Sequence, residues 1–246
     1  MTRLRALLIG TALTLPALAT ADTLSVSVGG GIWQETPSGT FRNVTAGDLV
    51  GADVESNLFW KKEDQGYFFI TLEHPIPLLP NVRIASSKLD HSGSGTSTFT
   101  INGTTYSSPI TNDLKLKQTD ATFYWEILDN VVSLDLGLNA KKLDVDYYIT
   151  DGTQSTRDQF NGTVPMLYGL VGVSPYPGLT ISAEGSFVKY SGNRITDVTA
   201  KVAYTTDYYF GVEAGYRAEN IKLDDVSNYS SDLKFNGPFA GLYLKF

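Results

Sequence analysis

Two histidines, at 74 and 91, are the only imidazoles in a chain of 246 residues that has no cysteine. His91 stands between Asp90 and Ser92. A hydroxyl nucleophile needs a base beside it and an acid to orient that base, and this tripeptide holds all three types. Neighbouring residues on an extended chain point to opposite sides, so the three converge only if a strand ends there. Hydrolysis of a lipid or a peptide through His91 is accordingly the alternative reading, and no catalytic residue is assigned. His74 opens the turn sequence His74-Pro75-Ile76-Pro77 and reads as a turn residue. The pairs Asp144/Asp146 and Asp224/Asp225, with Asp232, supply oxygens of the kind that bind Ca²⁺ or Mg²⁺. None shows the spacing of a calcium loop, so they read as solvated acids, and no cofactor is expected.

The elements that carry these residues are strands. Alternation with a period of two runs through the chain, and helical periodicity is scarce. The clearest case is Val131–Lys141, where Val132, Leu134, Leu136, Leu138 and Ala140 oppose Ser133, Asp135, Gly137, Asn139 and Lys141. Ten strands are expected, over 23–33, 66–73, 82–91, 120–128, 131–141, 164–173, 180–190, 197–204, 209–219 and 233–246. The connections at 74–81, 129–130, 174–178 and 205–208 are short, and most of the others are long. Short turns on one side and long loops on the other mark a bacterial membrane barrel. With both termini on the short-turn side, four such turns require ten strands, and eight is the alternative should segments three and eight be loop. Asn102-Gly103 signals a hairpin within the second long loop. The apolar phase flips after Ala140, which predicts either a bulge or departure from the lipid zone at 140–142.

The ends bear on the compartment. Arg3 and Arg5, the apolar stretch 7–15 and Ala19-Thr20-Ala21 form the three regions of a cleaved secretory signal. Residues 1–21 are therefore read as signal peptide, with cleavage between Ala21 and Asp22, and 22–246 as one barrel domain. The remaining chain holds 17 basic and 26 acidic residues, a net −9, which argues against a nucleic-acid partner. Phe246 shares its parity with Leu244, Leu242 and Ala240, as a last strand does when it closes a barrel against lipid. A soluble β-sandwich is the competing reading.

Gly29-Gly30-Gly31-Ile32-Trp33, followed by Pro37-Ser38-Gly39, resembles the start of a family of Gram-negative outer-membrane barrels named for an N-terminal Gly-Gly. Trp125-Glu126-Ile127-Leu128-Asp129-Asn130, Ala183-Glu184-Gly185, Glu213-Ala214-Gly215-Tyr216-Arg217 and Gly237-Pro238-Phe239-Ala240-Gly241-Leu242 are similar to it as well. The resemblance implies an all-β, antiparallel, up-and-down transmembrane barrel akin to the small W-type and A-type porin-like proteins. It also implies that Phe246 and its strand are the address read by the barrel-assembly machinery after escort by periplasmic chaperones. It implies no reaction.

With Phe246 toward lipid, the opposite parity lines the lumen. That face collects Glu73, Asp120, Glu126, Asp135, Lys141, Glu184, Lys201, Glu213, Arg217 and Lys245, with Arg83. Such charges must pair or stay hydrated, and a barrel of about ten strands is narrow enough for side chains to fill it. Glu126, Asp135, Glu184, Glu213 and Arg217 are the expected polar network, with Arg217 paired to Glu213. Trp33, Tyr67, Trp125, Tyr204, Tyr209, Tyr216 and Tyr243 are read as interfacial girdles. The function expected is structural, adhesive or narrowly porin-like in the outer membrane, with lipid and lipopolysaccharide as partners and a small-solute channel as the alternative.

Overall fold

The computed structural model describes residues 24–43, 51–76, 78–101, 103–107, 109–226 and 229–246. The proposed signal, with Ala21 and Asp22, lies outside them. Thirteen strands occur in chain order: β1 Ser25–Asn43, β2 Ala52–Asp53, β3 Glu63–Glu73, β4 Asn81–Gly95, β5 Thr98–Ile101, β6 Thr104–Ser107, β7 Ile110–Asp129, β8 Val132–Thr150, β9 Ser155–Tyr176, β10 Leu179–Tyr190, β11 Asn193–Thr205, β12 Phe210–Val226 and β13 Tyr229–Lys245. Ten of them, all but β2, β5 and β6, form a closed antiparallel barrel in which each strand pairs with its neighbour in sequence. β13 pairs with β1 from Ser27↔Lys245 to Asn43↔Tyr229 and shuts the cylinder. Closure pairs the strands of the apolar belt all the way round without water, which is what a lipid interior demands.

The ten-strand expectation holds, and the eight-strand alternative does not. Outward residues form an apolar belt, with Leu136, Leu138, Leu167 and Leu242 each more than half exposed. Phe246 is also outward, and its N–H donates to the Val26 carbonyl at 2.9 Å.

The outer side differs from expectation. The loops expected at 142–163 and 221–232 are mostly strand: β8 and β9 join through Asp151–Gln154 alone, and β12 and β13 run to Val226 and from Tyr229. The ladder between β7 and β8 continues without a shift through 140–142. The phase flip is therefore departure from the lipid zone. The inward parity stays inward while its chemistry turns from polar to apolar, because the strands have risen above the belt. The β5–β6 hairpin forms as expected; Asn102 lies outside the described residues. Three girdle assignments are corrected. Trp33 is 1% exposed inside the barrel, and Tyr67 and Tyr243 also face the lumen, each bonded there through its hydroxyl.

Candidate functional site

The inner face of the barrel is a stack of layers, set by register. In the lower lumen, Arg83 Nη1 meets Glu184 Oε2 at 2.6 Å, and Tyr168 Oη donates to the same oxygen at 3.0 Å. Lys201 Nζ lies 3.2 Å from Glu213 Oε2, whose other oxygen accepts from Tyr67 at 2.8 Å. Nearer the short turns, Glu73 takes Tyr124 at 3.1 Å and Lys245 at 3.3 Å. Asp135 is 7% exposed and stands opposite Glu126 in the ladder.

One layer higher the network tightens. Lys141, with no exposed surface, sends Nζ to Gln118 at 3.0 Å, Asp120 at 3.1 Å, Asp197 at 3.0 Å and Glu219 at 3.3 Å. Arg217 clasps Asp197 through Nε at 2.9 Å and Nη2 at 2.7 Å, and its guanidinium lies 4.5 Å from the centre of the Trp33 ring. Arg217 therefore pairs with Asp197, not with Glu213 as the strand spacing suggested. Asp197 on β11 stands diagonally across the ladder from Arg217 on β12, two residues from Arg217's partner Thr199, and this contact between adjacent strands outcompetes a neighbour on the same strand. Asp197 and Glu219 were not among the expected lumen charges, although parity along 197–204 and 209–219 puts both on the inward face. A cavity of about 100 Å³ remains among these groups, so the lumen is filled rather than open.

Above the Lys141 layer the same parity carries Leu143 and Val145 on β8, Leu116 and Leu114 on β7, Ile221 and Leu223 on β12 and Leu233 on β13. With Phe41, Phe160 and Trp60 these wall a second cavity of about 510 Å³. The segment after β2 folds into the mouth beside it. Leu58 and Trp60 are buried, Phe59 between them takes φ 60°, and Asn112 holds the segment by accepting from Trp60 Nε1 at 2.6 Å and donating to the Leu58 carbonyl at 2.8 Å. A left-handed backbone is unusual for a bulky residue. Gly93 is required for this docking, since a Cβ there would collide with the Leu58 carbonyl oxygen.

The side of the chamber at β9 is only half paired. β9 pairs with β8 from Ser155 to Val173, but with β10 only from Leu167 to Tyr176. Between Ser155 and Met166, β9 has a free edge among the described residues, and Asp158–Phe160 on that edge line the chamber.

His91 does not form a triad. Its side chain is fully buried, stacked between Trp60 (5.1 Å) and Phe235 (5.8 Å), with Nε2 2.8 Å from the equally buried Glu35 Oε1. Asp90 sits exposed on the opposite face, and so does Ser92. Alternation along β4 imposes that separation. Asp144 and Asp146 lie beside Lys142 (3.1 Å) and Arg157 (2.6 Å), respectively, and no group of three or more metal-ligating side chains occurs among the described residues.

No family model matches the chain, and no curated protein is similar to it. Solved structures do match. The outer membrane protease OmpT of Escherichia coli superposes with a TM-score of 0.57 at 12% identity, covering 92% of this chain and 98% of its own. Ail, the attachment invasion locus protein of Yersinia pestis, covers 92% of this chain and all of its own, at 10% identity and a TM-score of 0.39. Neisserial surface protein A covers 91% and 97%, at 13% and 0.35. The protein thus has the outer-membrane β-barrel fold. At these identities, likeness extends to the fold alone.

Proposed function

We propose that the protein is a sealed outer-membrane barrel that binds a small apolar molecule in its outer chamber, rather than a pore or a hydrolase. The observation that carries this reading is the change in the inward face at one layer. A cavity of about 510 Å³ with aliphatic and aromatic walls is the size and character of a small-molecule site. Water gains little in such a space, and a core that only had to be packed would leave no cavity of this size. Directly below, Lys141 and its four partners block the axis. The free edge of β9 offers a sideways route.

Barrels refolded into lipid nanodiscs are titrated with the apolar fluorophore N-phenyl-1-naphthylamine, against empty discs as background. Saturable binding is expected, falling roughly tenfold or more in Leu116→Asn and Leu143→Asn, about the cost of one unpaired polar group. Binding that does not saturate above empty discs, or that ignores both variants, defeats the reading. So does steady ohmic conductance of wild-type protein in planar bilayers, which requires an open axis.

A further inference from the structure

The outward face carries a feature that neither the lumen nor the chamber uses. Lys189 on β10 lies opposite Arg194 on β11, and Arg194 lies opposite Lys222 on β12. Three cations thus stand side by side across three adjacent strands, all exposed. Like charges directly opposite one another destabilise a sheet, yet none of the three makes an ion pair among the described residues. Lys234, also exposed, stands opposite Asn220 one step lower, and Asp232 faces Lys222 at the end of the row.

Outward cations higher on the barrel wall behave differently. Lys142 has Asp144 at 3.1 Å, Arg157 has Asp146 at 2.6 Å and Lys115 has Asp113 at 3.9 Å. Lys88 and Lys117 face each other but share their cleft with Asp90, Asp144 and Asp146. In a chain of net charge −7, three adjacent cations without an ion pair among the described residues are the exception; the acids beside the row, Asp232 opposite Lys222 and Asp224 on the same strand face, stand at its β12 end alone.

Its position supplies the counter-charge. Below the row the outward face turns apolar: Phe187 lies two residues from Lys189, level with Thr196 and Asn220, and Val198 and Tyr216 follow further down β11 and β12; the three apolar residues are 44%, 44% and 53% exposed. The row therefore sits where acyl chains give way to headgroups on the loop side of the barrel. Arg and Lys side chains at that height reach lipid phosphates, and a guanidinium grips a phosphate through two parallel N–H donors. We propose that Lys189, Arg194 and Lys222 form a docking site for the phosphates of an outer-leaflet glycolipid, whose acyl chains lie along Phe187, Val198 and Tyr216. This inference is independent of the chamber and needs only the barrel's place in the membrane.

The test uses the full-length mature barrel in phosphatidylcholine nanodiscs doped either with lipid A bearing both phosphates or with the same lipid dephosphorylated. Lipid co-released with the protein is counted by native mass spectrometry. Wild type is expected to retain the phosphorylated form, and K189Q/R194Q/K222Q to retain it about 100-fold less, at roughly fivefold per cation. The control K142Q/R157Q keeps wild-type retention. If the triple variant does not fold, Arg194→Gln alone carries the test, with a loss of about fivefold. Equal retention of dephosphorylated lipid A by wild type, undiminished retention in the row variants, or displacement of the lipid by an equal concentration of inorganic phosphate overturns the proposal.

Discussion

Two stretches of one strand face make the instructive contrast. Along β8, Asp135, Asn139 and Lys141 point inward, and so do Leu143, Val145 and Ile149 directly above them. Backbone, parity and barrel wall are shared; only the side chains change. Below, the wall outside meets an apolar belt and the inside is polar, so charges are tolerated where they pair. Above, the exterior turns polar, with Lys142, Asp144 and Asp146 outside, and the apolar residues move inside. The inversion means that each half obeys the solvent outside it. The upper half is a conventional water-facing β-structure with its core inside, fused to a membrane barrel with its apolar side out.

The strongest way to break that contrast is to remove the cation at the boundary. Lys141→Ala leaves Asp120, Asp197 and Glu219 clustered around a buried site, and a partner stripped from a buried charge network costs about 3–5 kcal/mol. Urea unfolding in lipid vesicles should show that loss; a change under about 1 kcal/mol would mean that the network is hydrated and weak. Leu136→Lys tests the outer face of the lower half, with an expected cost of about 2–4 kcal/mol near mid-membrane. The same change at Asn161, on the outward face of the upper half, should be close to neutral, and equal costs at the two sites would erase the distinction between halves. Trp60→Ala addresses the packed mouth. A loss of roughly 2 kcal/mol should appear as faster amide exchange confined to residues 52–60, with the barrel ladder unchanged.

The smallest expected effect lies in the turn at Asp151. The Thr153 hydroxyl, then the amides of Gln154 and Thr153, hold its carboxyl well below the usual carboxylate range. Its folded value is depressed, so its contribution is complete above the unfolded value of about 3.9 and disappears as pH falls through the lower folded value. Amide exchange at Gln154, relative to its intrinsic rate, should therefore hold steady from neutral pH to about 4 and rise below it. Asp151→Asn should remove the rise.

The fold was legible because alternation is a local property. Parity along 131–141 and 209–219 named the lipid and lumen faces, and the four short turns counted the strands. Strand length was less legible. Beyond Ala140 the apolar phase reverses, and a reversed phase reads locally as a loop or a bulge; only the continuous β7–β8 ladder shows that the strand goes on. The candidate lumen residues Glu126, Asp135, Glu184, Glu213 and Arg217 could be placed on a face from the chain alone. Their partners could not: Arg217 with Asp197 is set by the register of β11 on β12, and Arg83 on β4 with Glu184 on β10 by closure, which turns those strands toward each other across the lumen.

The amino-acid sequence by itself determined which side of the clearly alternating strands meets lipid, because the period of two is written residue by residue and solvent preference is a property of single side chains; 164–173, apolar on both faces, it leaves open. Tertiary structure alone decided that Leu116, Leu143, Ile221 and Leu233 face one another around a chamber, and that Lys189, Arg194 and Lys222 stand abreast. Both depend on register between strands, which no single strand contains: pairing of consecutive strands sets the row, and closure of the cylinder sets the chamber.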